Sequence, residues 1–325
     1  MKRLILTSSS GSSLLRAGLA DVVIQFAFRF VWGPLPPPAE FEAYFGVRSD
    51  QGPGCHWSDW SPWGRWSQDA KARRYLAFAE FCKSYEAIEL WFDPHPNDQL
   101  ELIFLLDFFR SHPEIAIRLK LRLIDFDLMR PAERIPELED VPVVDVTAVE
   151  LKTGSMSWQA YRASTPQRCF DLLSKNLSAL PLLRPALLGL IEELPASRTG
   201  LGATEMRLLE LIASGYTSAL ALTHSGRLGP GIFDELEMTQ LLDGLAHGPR
   251  PAVAGLDEMR GLPKENHSSR HAVYARSELS LTEFGEAIVA HKEDFSCHNP
   301  IDRWWGGTRL TNDQLWRCDL ALVRP

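Results

Sequence analysis

Three residues able to move protons or hold a cation fall within six positions in the stretch FDPHPNDQ: Asp93, His95 and Asp98. Histidine titrates near neutrality, so His95 could act as a general base oriented by Asp93 or Asp98. The same three offer oxygen and imidazole ligands to a metal. The plainer reading is a turn, with two prolines stiffening the loop and Asn97 or Asp98 capping the next helix. A second set lies in NPIDRWWGGTRL, residues 299–310. Arg303 and Arg309 carry planar, permanently charged forks suited to a carboxylate or phosphate. Asp302 could orient polar groups and Trp304 could stack on a ligand. Gly306 and Gly307 permit a positive φ or a close backbone approach. Here the plainer reading is internal, with Asp302 pairing with an arginine.

Two further stretches invite chemistry. In TSSSGSS, residues 7–13, the small residues Ser9, Ser10 and Gly11 could let backbone N–H groups approach an anion. The stretch matches neither phosphate-loop spacing nor the dinucleotide fingerprint. In HWSDWSPWGRW, Trp57, Trp60, Trp63 and Trp66 recur every third residue. They could form a stacking surface or a contact face for a protein partner. Packing against their own domain is the simpler expectation, because four tryptophans are costly to leave in water. Cys297, His298 and Cys318 lack a fourth ligand at sensible spacing for zinc, and we assign no metal site.

The elements that position these residues can be read from hydrophobic spacing. RLILT reads as a buried strand, residues 21–28 as a second, 87–93 as a third and 117–125 as a fourth. Helical spacing covers 68–85 and 97–112. Strand–helix–strand repetition predicts a mostly parallel, Rossmann-like sheet in an α/β domain over residues 1–128. Ligands of such sheets sit outside the carboxyl ends of the strands, where TSSSGSS and FDPHPNDQ fall. The proline- and acid-rich segment 129–165 reads as a linker. From 166 to 325 the pattern is mainly helical (166–180, 184–194, 203–214, 234–248), then strand-like over 271–281, then helical over 282–292 with Thr282 as N-cap. That order predicts a winged-helix-like second domain with a terminal strand segment.

Bulk properties exclude several classes. The net charge is −8, and residues 166–260 hold eight Lys/Arg against eleven Asp/Glu. A helix opening DELEMTQ would repel phosphate, so no nucleic-acid partner is expected. Neither is a membrane partner: no stretch reaches the length of a membrane span, and the apolar run near the start is too short for a signal peptide. Five scattered cysteines without a CxxC suit a reducing compartment, so a cytoplasmic location is expected.

Two stretches together resemble an uncharacterised bacterial domain-of-unknown-function family. IELWFDPHPNDQLELIFLLDFF is similar to that family's LWFEHDLYDQLQLL segment. LTEFGEAIVAHKEDFSCHNPIDRWWGGTRLTNDQLWRCD is similar to its C-terminal LTxxG…LNGIDRWxGGxxL…WRWD signature. The resemblance implies the same two-domain fold and adds Gln99 to the candidate ligand contacts, since Asp98 and Gln99 match the pattern. The chain departs from it after the first strand, where Ser8–Ser10 and Gly11 replace Gly-Asp. It departs again after the second, where QFAFRFVWGP replaces an acid-containing WRDVLHEGP. In the EHD trio Asp93 stands for Glu, and Pro94 and His95 stand for His and Asp. The resemblance implies no assigned reaction.

The function expected from these readings is binding of a small anionic or nucleotide-like ligand between the two domains. The contacts would be Asp93, His95, Asp98, Gln99, Ser9, Ser10, Gly11, Asp302, Arg303, Trp304 and Arg309. One alternative is a hydrolase or transferase using His95 with Asp93 and Asp98. Another is an interaction scaffold, as a homodimer or with a protein partner. No cofactor is specified.

Overall fold

The computed structural model of the chain describes residues 2–8, 14, 18–49, 52, 54–60, 66–123, 141–224, 231–263, 266–319 and 321–324. The candidate residues Ser9, Ser10 and Gly11, and Trp63 of the tryptophan series, lie outside them. Two compact units emerge. Unit 1 comprises Met1–Phe30, Pro34–Ala163 and Asp171–Leu187, and unit 2 comprises Val31–Gly33, Ser164–Phe170 and Leu188–Pro325.

Unit 1 is mixed α/β, built on a five-stranded, mostly parallel sheet. Strands β1 (Arg3–Thr7), β2 (Val22–Gln25), β3 (Ala87–Phe92), β4 (Leu119–Leu123) and β5 (Val144–Asp145) lie in the order β2-β1-β3-β4-β5. β1 pairs in parallel with β2 and with β3, and β3 pairs in parallel with β4. Only β5 runs antiparallel. The chain leaves β1 toward β2 and returns on the other side as β3, so strand order reverses between β1 and β3. Alternation along the strands divides the faces. Leu4, Leu6, Ile88, Leu90, Phe92, Leu119 and Leu121 form one wholly apolar, buried face.

The other face carries an ion network within the sheet. Glu89, 5% exposed, lies between two arginines. Arg3 donates from Nε at 2.7 Å and from Nη2 at 2.9 Å, and Arg122 donates from Nε at 2.8 Å. The Trp91 indole donates a fourth bond at 2.8 Å. Both guanidinium groups also lie over the Trp91 ring, at 5.8 and 4.9 Å from its centre.

Among the described residues, the helices lying wholly in unit 1 are α1 (Pro38–Phe45), α2 (Gln68–Arg73), α3 (Phe78–Cys82), α4 (Pro96–Arg110), α5 (Pro113–Ala116) and α6 (Ala148–Tyr161). The single helix expected over 68–85 is two short ones. Ser67 caps the first through Ala70 N–H, and the segment 74–77 separates them. The expected linker contains α6, which starts at a Thr147–Glu150 capping box and packs along α4. The contact is close: a Cβ on Gly154 would lie 2.6 Å from Leu106 Cβ. Proline and acid content marks the residues before α6, whereas α6 itself is fixed by its cap and by buried Trp158 and Tyr161. Trp158 closes an aromatic cluster with Phe30 (4.9 Å between centroids) and Phe104 (5.1 Å), and Phe28, Phe41 and Phe45 join it through Phe104. Of the tryptophan series, Trp57 and Trp66 are buried against each other and Phe81, while Trp60 is 53% exposed.

In unit 2, helices α9 (Ala203–Ala213), α10 (Ala219–His224) and α11 (Glu235–His247) follow α7 (Gln167–Leu172) and α8 (Leu183–Glu192) along the chain. Strands β6 (Val253–Ala254) and β7 (Ser280–Leu281) pair antiparallel, with α12 (His267–Arg276) between them in sequence. The strand-like reading of 271–281 is corrected: most of it is α12, capped by Asn266. Arg270, Val273 and Tyr274 are buried at helical spacing, and that packing overrides the strand preference of Val273 and Tyr274. The expected helix over 282–292 is α13 (Glu283–Val289), with the Thr282 hydroxyl accepting from Gly285 N–H. The terminal segment forms a hairpin of β8 (Asp302–Trp305) and β9 (Thr308–Thr311). Its two-residue turn places Gly306 at φ 53°. β10 (Arg317–Cys318) and β11 (Leu322–Val323) form a second short ladder.

Candidate functional site

The site in unit 1 is assembled where β1 and β3 end. β1 delivers Thr7 and Ser8, and β3 delivers Asp93. The sequence Asp-Pro-His-Pro then turns the chain straight into α4. Asp93 Oδ1 accepts from His95 backbone N–H at 2.9 Å, an Asx-type turn that the flanking prolines stiffen. His95 is the N-cap and makes no side-chain capping bond, with Pro96 in the first helical turn. Asn97, expected as a possible cap, has another task. Its Nδ2 donates to Phe28 C=O at 2.8 Å and its Oδ1 accepts from Phe30 N–H at 2.9 Å, clamping the segment after β2 onto the start of α4.

The next residues turn inward. Asp98 is 2% exposed and accepts from the Ser8 hydroxyl. Gln99, 1% exposed, donates from Nε2 to Asp93 C=O at 2.6 Å, and its Oε1 is buried without a partner. Asp93 is also 2% exposed, and its carboxyl lies close enough to that of Asp98 to feel its charge. Burial first, and then the neighbouring Asp98 charge, pushes the Asp93 carboxyl up to about 7. Glu101 follows one turn later along α4. Burial, and then the charge of Asp98, holds it well above the usual carboxylate range, against the opposing pull of Arg29 and the Phe28 N–H. Neither Glu101 oxygen has a hydrogen bond of good geometry. Three carboxyl groups therefore share one dry, poorly compensated place at the strand ends.

Buried carboxyls with incomplete hydrogen bonding oppose folding, because the charged form loses its hydration and the neutral form keeps unmet hydrogen-bonding capacity. Such groups cluster where function needs them. Their position between β1 and β3 is the point of strand-order reversal, where open α/β sheets bind their ligands. Among the described residues, no group of three or more His, Cys, Asp and Glu has the arrangement to hold a metal ion.

Asp93, His95, Asp98 and Gln99 are thus brought together, with His95 attached through its backbone. Sequence reasoning missed Ser8 and Glu101. The C-terminal set lies in unit 2, and so do Glu205 and Leu190, to which it is hydrogen-bonded. Arg309 pairs bidentately with Asp302, from Nε to Oδ1 at 2.9 Å and from Nη2 to Oδ2 at 2.8 Å, across the hairpin. Both side chains are exposed, and the Arg309 guanidinium keeps the Asp302 carboxyl below its ordinary range. Hairpin register makes each the other's partner. Trp304 is half-buried on β8, and the neighbouring Trp305 donates from Nε1 to Leu190 C=O at 2.6 Å. Arg303 pairs with Glu205 at 2.7 Å.

No protein-family model matches the chain, and no curated protein matches it.

Proposed function

We propose that the chain binds a small, nucleotide-like molecule at the carboxyl edge of the unit 1 sheet, with a vicinal diol held by Asp93 and Asp98. The buried, neighbouring carboxyl pair at the strand-order reversal carries this reading. A hydroxyl both donates and accepts, and a carboxyl pair holding one proton offers both complements. A bare anion would meet carboxylates there, so the expected anionic character belongs to a more distant part of the ligand, such as a phosphate. Calorimetric titration with adenosine monophosphate and its 2′,3′-dideoxy analogue tests the reading. Hydrogen bonds to charged groups contribute about 1.5–3 kcal/mol each, so the dideoxy compound is expected to bind at least tenfold more weakly. Equal affinities would refute the diol assignment.

A second reading, a hydrolase or transferase, is favoured by the Asp93 carboxyl alone, because a group pushed up to about 7 can give and take protons at neutral pH. Asp93 would then take the acid–base role expected of His95. Turnover of p-nitrophenyl phosphate should be lost in Asp93→Asn and kept in His95→Ala; loss in His95→Ala alone would return the role to the histidine.

Among the described residues no helix is long and apolar enough to cross a membrane. Five free cysteines support a reducing, cytoplasmic setting. The order of α9, α10 and α11 followed by the β6–β7 ladder supports a winged-helix-like unit 2. Membership of the domain-of-unknown-function family rests on the two motif stretches.

A further inference from the structure

Unit 2 contains a cavity of about 600 Å³, in the size range of small-molecule sites. Its wall combines apolar surface from Trp32, Met259 and Leu262 with two arginines, Arg270 and Arg303, and three acids, Glu205, Asp243 and Asp302. Each arginine has one carboxylate partner already: Arg270 pairs with Asp243, and Arg303 donates from Nη1 to Glu205 Oε2 at 2.7 Å. Neither acid depends on its arginine alone. Asp243 Oδ1 also accepts from the Tyr274 hydroxyl at 2.6 Å, and Glu205 Oε2 from Gly202 N–H at 2.9 Å.

Arg303 differs in one respect. Its other terminal nitrogen, Nη2, is buried and has no hydrogen-bond partner. A buried guanidinium arm without an acceptor is costly, and a planar fork is best satisfied by a carboxylate or phosphate. The backbone around it is fixed rather than adaptable. Asn299 Oδ1 accepts from Arg250 N–H at 3.0 Å, its Nδ2 donates to Arg250 C=O at 3.0 Å, and a Cβ on Gly248 would lie 2.2 Å from that Oδ1. The hairpin that carries Arg303 is thereby held against the end of α11.

We infer that this cavity is a second binding site, separate in chemistry from the strand-end site, for a small amphipathic anion whose carboxylate or phosphate is taken by Arg303 and whose apolar body lies on Trp32, Met259 and Leu262. Asp302, also on the wall, is paired with Arg309 and selects against a second negative group on the ligand. A single anionic head on one apolar body is therefore the preferred form.

Phenyl phosphate, benzoate and neutral phenol are the probes, titrated into the intact protein by calorimetry. Benzoate or phenyl phosphate is expected to bind, with phenol at least tenfold weaker. The better of the two anions tells whether the natural head group is a carboxylate or a phosphate. Arg303→Lys keeps a positive charge beside Glu205 but loses the fork, and is expected to weaken binding at least tenfold at an unchanged melting temperature. Leu262→Trp fills the cavity without touching Arg303 and is expected to abolish binding as well, which guards against a folding artefact in the arginine variant. Binding of phenol as tight as that of both anions, absence of binding by either anion, or full affinity in a folded Arg303→Lys protein would each overturn the inference.

Discussion

Asp98→Asn is expected to make the protein more stable at pH 8 while removing ligand binding. In the native state the Asp93 carboxyl is pushed up to about 7 by burial and then by Asp98, from an ordinary value of 3.8. Between those values the native state holds a proton that the unfolded chain has released. The contribution of this group to stability is fully present below the unfolded value and is lost as pH rises through the native one. Above pH 7 two buried carboxylates then repel each other. Asparagine removes one charge and can still accept from the Ser8 hydroxyl and donate to Asp93. The gain should be about 1–3 kcal/mol at pH 8, in the range of one to two pKa units of relieved interaction, and close to zero at pH 4. Chemical denaturation at the two pH values reads it. A variant less stable than wild type at pH 8 would mean that the pair is structural.

The opposite outcome is expected for Glu89→Ala, although Glu89 is also a buried acid. Burial pulls its carboxyl upward, but hydrogen bonds from Arg3, Trp91 and Arg122 outweigh that and hold it below the usual range. Removing it leaves Arg3 and Arg122 facing each other across Trp91, with Arg122 only 8% exposed along its side chain. Loss of one partner of a buried ion network costs about 3–5 kcal/mol. Glu89→Gln should cost less, because the amide oxygen still accepts. The wild-type contribution is present above the unfolded carboxyl value and is lost as pH falls through the lowered native one, so the alanine penalty should shrink in acid. A penalty below about 1 kcal/mol at pH 7 would show that the network is largely solvated.

These two acids show why part of the site was legible in the sequence and part was not. The sheet could be read because RLILT and IELWF are apolar runs bounded by turn residues, and strand ends alone pointed to Asp93 and Asp98. Glu101 sits inside a helical stretch, where a carboxylate ordinarily means a solvent-facing position. Its burial comes from packing with residues distant in sequence, Phe28 and Tyr44 among its neighbours. Ser8 is a common residue in a common loop, and only the pairing of β1 with β3 brings it to Asp98. In the C-terminal segment the residue types were right for ligand binding, but Asp302 and Arg309 are satisfied by hairpin register, which residue types do not reveal. Arg303, one position along, has its partner 98 residues away in α9. Helix α6 was hidden for the same reason, since composition over 129–165 averages a proline-rich stretch with a capped, buried helix.

The central claim is that Asp93 and Asp98 are kept together at a cost to stability because they hold a ligand. Its most direct test is calorimetric titration of adenosine monophosphate into wild type and Asp98→Asn at pH 6, where the pair still holds its proton. The predicted result is a saturable isotherm for wild type and at least a tenfold loss of affinity in a variant that melts no lower than wild type. No heat of binding in wild type up to millimolar nucleotide, or equal affinity in the two proteins, would contradict it.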